Sequence, residues 1–138
     1  MSLFKVFDVA GSAMSAQTVR LNLTASNLAN AETVASSAEE AYKARHPVFA
    51  AALKAVQNAN DAPVPVQVQG VVESQAPAHV MYNPAHPLAD ANGNVYRSNV
   101  NTVEEMVNMI SASRSYQNNV EVMNTSKELL LQTLRLGS

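Results

Sequence analysis

The stretch Asn101-Thr102-Val103-Glu104-Glu105-Met106-Val107-Asn108-Met109-Ile110 opens a run, 102–136, that holds neither proline nor glycine. Asn101 or Thr102 can cap a helix there. Each has a glutamate three residues on, the capping-box spacing, and both acids suit the positive end of a helix dipole. Met106, Met109, Ile110, Tyr116, Val120, Met123, Leu130 and Leu134 then form an apolar stripe, interrupted by Ser113 and Lys127. Gly137 stands where a helix-ending glycine belongs. At ~1.5 Å per residue the run predicts a rod of roughly 50 Å.

The other end of the chain carries a matching signal. Residues 3–30 contain no proline, and Phe7, Met14, Leu21 and Leu28 recur at heptad spacing. Ala10, Gln17, Thr24 and Ala31 fall three places after them, so the seam pairs bulky residues with small or polar ones. Gly11 weakens the helix further, by about 1 kcal/mol relative to alanine. A chain of 138 residues cannot bury two such rods in its own core. Both are expected to pack against something else.

Between the ends lie all 6 prolines and the signals of short strands. Val64, Val66 and Val68 alternate with Pro65, Gln67 and Gln69, the period of a strand, and Gly70 marks a bulge before Val71 and Val72. His79–Tyr82 and residues 95–97 read as further strands. Asn92-Gly93 is a two-residue hairpin signal, and Pro84 and Pro87 flank a turn. Residues 34–61 are ambiguous: 50–56 has helix propensity, whereas Tyr42 and Val48-Phe49 suit a strand. The fold class is therefore α+β, with long N- and C-terminal helices and a small β-rich middle. The boundaries divide the chain into 1–33, 34–100 and 101–138.

Composition excludes several functions. Net charge is -2 and only 14% of residues are charged, with no basic run, which argues against nucleic acid as a partner. A surface so poor in charge favours association. There is no cysteine, hence no disulfide, thiol chemistry or thiolate metal site. No unbroken apolar run is long enough to span a bilayer, and no cleavable secretory signal is visible at the N-terminus. His46, His79 and His86 read as solvated loop residues rather than ligands. Glu39-Glu40 and Glu104-Glu105 are adjacent pairs that diverge on a helix. They read as a solvated face and a helix-terminal charge, since acid–base work needs carboxylates converging in a cleft. No nucleophile elbow or phosphate loop occurs. The chain is expected to be no enzyme and to need no cofactor.

Ala25-Ser26-Asn27-Leu28-Ala29-Asn30-Ala31-Glu32-Thr33 resembles the N-terminal signature of the bacterial flagellar rod and hook axial proteins. The run from Asn101 to Gln117 resembles the second signature of that family. Tyr82-Asn83-Pro84-Ala85-His86-Pro87-Leu88-Ala89-Asp90-Ala91-Asn92-Gly93 and the ending Thr133-Leu134-Arg135-Leu136-Gly137 resemble its short proximal rod members. The resemblance implies terminal helices paired as an antiparallel coiled coil and a β-rich outer domain. It implies export through the flagellar type III apparatus without a cleaved signal, and assembly into a tube across the periplasm. That tube transmits motor torque and encloses the export channel.

The partners implied are other rod subunits, the rod base, copies of the chain itself and the export apparatus, with no direct membrane insertion. The assembly interface expected on this reading comprises Phe7, Met14, Leu21, Asn27, Leu28 and Asn30 on the first helix. On the second it comprises Met106, Met109, Ile110, Tyr116, Val120, Met123, Leu130 and Leu134. Asn27 and Asn30 have an alternative role as caps of the first helix. An alternative for the whole chain is a secreted coiled-coil adaptor or translocator-like protein that does not polymerise.

Overall fold

The computed structural model describes residues 3–52 and 63–137. Helix α1 spans Leu3–Ala29 and helix α2 spans Thr102–Leu136. Between them run β1 (Val34–Ala35), β2 (Arg45–Ala51), β3 (Val66–Glu73), β4 (His79–Tyr82) and β5 (Asn94–Arg97). The α+β architecture with two long terminal helices is as the sequence predicts.

The helices lie against each other and run antiparallel. Asn27, near the end of α1, meets Glu105 at the start of α2, and Arg20, two turns earlier, donates to Asn108 Oδ1 at 3.1 Å. Continued along the pair, that register leaves the last turns of α2 beyond the start of α1, and residues 131–137 are all exposed.

The residues that close the helix pair are small. α1 buries Ala10, Ala16, Thr24 and Asn27, and α2 buries Glu105, Ala112 and Ser126. Of the two rows in the heptads, the small row supplies the buried Ala10, Thr24 and Ala31, while Gln17 and the bulky Phe7, Met14, Leu21 and Leu28 are only half-buried. Small side chains let helix axes approach, and the bulky row is then pushed to the flank of the contact.

Two small sheets differ in reach: β1, β4 and β5 sit at the junction end, whereas the β2–β3 hairpin runs from Asn27 along α1 as far as Ser12. β5 is central in the order β1-β5-β4, and β2 pairs with β3 as a separate hairpin; every pairing is antiparallel. Val48 pairs with Gly70 and Phe49 with Val68, so Gln69 is the extra residue of a bulge beside Gly70, where the sequence places one. Pro47 is tolerated in β2 because each strand of a two-stranded sheet has a free edge. The Val66 N–H, at the start of β3, donates to Ser12 Oγ at 3.0 Å, which ties the hairpin to α1. The apolar core is small: Ala31, Ala44 and Val100, with Tyr42 packed against them.

Several local expectations change. Asn92-Gly93 does not form a two-residue hairpin, because β4 ends at Tyr82 and β5 begins at Asn94. The pair closes a longer loop instead, folded around Asp90. Asp90 Oδ1 accepts from the Asn92 and Asn94 amides at 2.8 and 2.9 Å, and Oδ2 accepts from the Tyr96 hydroxyl at 3.0 Å. Gly93 has φ 82°, and a Cβ there would stand 2.9 Å from Tyr82 Cε2. Val64 precedes β3 rather than joining it, and Tyr42 precedes β2. The helical reading of 50–56 meets strand at Ala50 and Ala51, and residues 53–56 lie outside the described residues. Gly137 ends α2 at φ -91°, donating to Thr133 O at 3.1 Å, without the left-handed turn a glycine permits.

Candidate assembly interface

The start of α2 is built by Asn101, whose side chain accepts from the Val103 and Glu104 amides at 3.1 and 3.3 Å. Asn101 is therefore the cap and Thr102 the first helical residue. This cap sends Glu104 and Glu105 to opposite fates. Glu104 is exposed, whereas Glu105 is 2% exposed and points into the junction. Glu105 is thus more than the solvated helix-terminal charge its position suggests.

Asn27 meets it there, at 0% exposure, with all four hydrogen-bonding positions of its amide filled. Its Nδ2 donates to Glu105 Oε2 at 3.0 Å and to Arg45 O at 2.9 Å. Its Oδ1 accepts from Arg45 N at 2.9 Å and from the Tyr42 hydroxyl at 3.0 Å. One side chain thereby joins α1, β2 and α2. Asn27 is a joint inside the chain, not a residue of its outer surface. Asn30 donates from Nδ2 to Ser26 O at 2.9 Å, which is the capping role.

Asn99 makes a second joint. It accepts from Ala44 N at 2.7 Å and donates to Ala76 O at 2.8 Å. Ser98 Oγ donates to Ala31 O at 2.8 Å, fastening β5 to the end of α1. The junction is thus cemented by short polar groups, each partnered at low cost in side-chain entropy. Nothing in the local sequence around Asn27 signals this, because its carboxylate partner lies in the other helix.

His46 and His79 belong to β2 and β4 rather than to loops, and only His86 lies in one, where its Nδ1 accepts from Leu88 N at 3.1 Å. His46 and His79 line a cavity of about 410 Å³ with Asn99, Asn101, Glu104 and Glu105. His46 Nδ1 stands 3.9 Å from Glu105 Oε1, an ion pair when the imidazole is protonated. Among the described residues, no group of three or more histidine, cysteine or carboxylate side chains is placed to hold a metal ion.

The remaining interface candidates lie along the helices. Met106, Ile110 and Leu134 are 55%, 57% and 61% exposed. Met109, Tyr116, Val120, Met123 and Leu130 are half-buried, as are Phe7, Met14, Leu21 and Leu28. Val103, Val107, Val122, Leu129, Leu131 and Leu136, outside the predicted stripe, are exposed as well. Exposed apolar side chains therefore form two groups on α2, one from Val103 to Ile110 and one from Val122 to Leu136, separated by the exposed polar residues Ser111, Arg114, Gln117, Asn118 and Glu121. Among the described residues no helix is long and apolar enough to cross a membrane.

The structure is thus a helix pair with apolar side chains left uncovered, fixed to a small β module by polar joints. Comparison with known proteins gives its class. Residues 7–34 match the flagella basal body rod protein family, and residues 91–136 match the C-terminal family of the flagellar basal body rod FlgEFG proteins. The chain is 51% identical to the flagellar basal-body rod protein FlgC of Salmonella typhimurium over 137 residues, with 99% of each chain covered. It is 52% identical to that of Escherichia coli O6:H1 over 141 residues and 49% identical to that of Yersinia enterocolitica over 137, again with 99% of each chain covered. The chain belongs to the flagellar basal-body rod protein FlgC family, a structural family of the proximal rod.

Proposed function

We propose that the chain polymerises with other rod subunits, with the rod base and with copies of itself. The product is a helical tube that carries motor torque and encloses the export channel. In this reading residues 1–33 and 101–138 are the axial helices and 34–100 the outer module. The chain reaches the rod through the flagellar type III export apparatus without a cleaved signal. Phe7, Met14, Leu21, Leu28 and the α2 stripe from Met106 to Leu134 supply the contacts between subunits.

The observation that carries this is the apolar side chains exposed toward both ends of α2, a helix whose inward face is already closed by Glu105, Ala112 and Ser126. Burial of such side chains is worth roughly 25 cal/mol per Å² of apolar surface removed from water, enough to drive association once several side chains are covered. Contacts of head-to-tail type, which do not close into a ring, continue as a filament.

Ile110→Asp tests it. Ile110 lies outside the intramolecular contact, so the variant is expected to keep the fold and to be missing from isolated basal bodies. Incorporation at the normal level would contradict the interface.

A further inference from the structure

The loop between β4 and β5 carries a reactive pair. Asn92-Gly93 is the one Asn–Gly step in the sequence. In an open chain such a step rearranges on its own, because glycine neither shields its nitrogen nor restricts the backbone rotation that the attack needs. The Gly93 nitrogen, on losing its proton, attacks Asn92 Cγ. The new N–Cγ bond closes a succinimide ring, the Cγ–Nδ2 bond breaks, and ammonia leaves with a proton in place of the one lost. Water then opens the ring at either carbonyl and leaves aspartate or isoaspartate at position 92.

The fold treats the two halves of this pair in opposite ways. Asn92, which supplies the leaving group, is exposed, whereas Gly93, which supplies the nucleophile, is buried. The Gly93 N–H donates to Asp90 O at 3.0 Å, and the Gly93 carbonyl accepts from Asn83 N at 2.8 Å. The residue that must swing toward Cγ is thus held at both its nitrogen and its oxygen. The Tyr82 ring and Pro84 crowd its remaining side, since a Cβ there would stand 2.9 Å from Tyr82 Cε2 and 3.0 Å from Pro84 Cβ. Asp90 Oδ1 fixes the flanking amides, accepting from Asn92 N at 2.8 Å and Asn94 N at 2.9 Å. A buried N–H already paired with a carbonyl is free neither to lose its proton nor to move until the loop opens.

We infer that Asn92 is a deamidation site gated by folding: the loop built around Asp90 closes it in the native chain, and it is open only while that loop is unmade. The product does not restore the loop. Isoaspartate routes the backbone through the side chain and adds a methylene between residues 92 and 93. That breaks the spacing which brings Gly93 N to Asp90 O and Asn94 N to Asp90 Oδ1. Either product also sets a second carboxylate beside that of Asp90, where like charges oppose each other. A chain that lingers unfolded is therefore marked at the turn into β5, and the mark persists after refolding. This holds whether or not the chain polymerises.

Peptide mapping by mass spectrometry tests it on the full chain, held at mildly alkaline pH in native buffer and, in parallel, in guanidinium. Conversion at Asn92 is expected to be at least about fivefold slower in native buffer, and a smaller ratio would overturn the proposal. Asp90→Ala is expected to convert at least about threefold faster than the wild type in native buffer and at the wild-type rate in guanidinium. A native rate equal to that of the wild type would show that Asp90 does not close the site and would overturn the gate. The wild-type ratio decides the proposal even where that variant fails to fold. Chain aged in guanidinium and returned to native buffer is expected to exchange its Asn94 amide fast in the isoaspartate fraction, with the helix signal retained. Protection of that amide equal to the unaged chain would overturn the persistence of the mark.

Discussion

The two ends of the helix pair are held in opposite ways. At the β-module end, Asn27, Asn99, Ser98 and Glu105 lock α1, α2 and the strands together with buried hydrogen bonds. At the far end, α2 runs past the register of α1, and Leu129, Leu131, Leu134 and Leu136 stand exposed. The first end is complete in one chain. The second leaves its leucines uncovered. A subunit built this way keeps a defined joint between helices and module while leaving the association surface open until assembly.

The largest break in that contrast comes from Asn27→Ala. It removes four hydrogen bonds and strips the buried Glu105 of its donor, at a cost of ~3–5 kcal/mol. Urea denaturation followed at the β module is expected to register the loss, and a change below ~1 kcal/mol would refute the role of this joint. Gly93→Ala acts more locally. The positive φ and the 2.9 Å approach to Tyr82 predict a cost of about 1–3 kcal/mol, confined to the 83–93 loop and β5, with the helices unchanged. Circular dichroism at the helix band together with amide exchange in the loop separates the two regions.

Acid probes the same loop more gently. The Asn94 amide, with the Tyr96 hydroxyl and the Asn92 amide, holds the Asp90 carboxyl below its ordinary 3.8 against the opposing effect of desolvation. A depressed folded value means that its contribution is present above 3.8 and is lost as pH falls through the folded value. Tyr96 is raised above 10.0, chiefly by its hydrogen bond to Asp90, so its contribution holds below 10.0 and fades as pH rises through the folded value. The Asn94 amide shift, followed by NMR from neutral to strongly acid pH, is expected to show the first transition, and Asp90→Asn to abolish it. The smallest effect on the isolated chain is that of Leu134→Asp, within ~0.5 kcal/mol, because the side chain is exposed. The same variant is expected to be lost from the rod, and this disparity between stability and assembly is what the far end predicts.

Much of the fold was legible because it is written in local patterns. The cap at Asn101, the long uninterrupted run after it, the His79–Tyr82 strand and the bulge beside Gly70 follow from residues within a few positions of each other. What was not legible depends on distant partners. Asn27 reads as an interface or capping residue until Glu105, 78 positions away, is folded against it. The heptads announce a seam but not which row closes it. The structure buries Ala10, Ala16 and Ala112 and leaves Leu21 and Leu28 at the flank. The two-residue strand β1 carries no pattern of its own and exists only because β5 offers it an edge. The Asn92-Gly93 turn was visible as a turn, but the Asp90 side chain, which fixes the loop length, acts through backbone amides no motif encodes.

The most direct measurement is amide exchange, residue by residue, on the full chain at low concentration. The account predicts slow exchange around Asn27, in β5 and through the first turns of α2, and fast exchange from about Ser126 to the end of α2. Protection that is uniform along α2 in a monodisperse monomer would mean that the chain already supplies everything the helix needs, and would contradict the account.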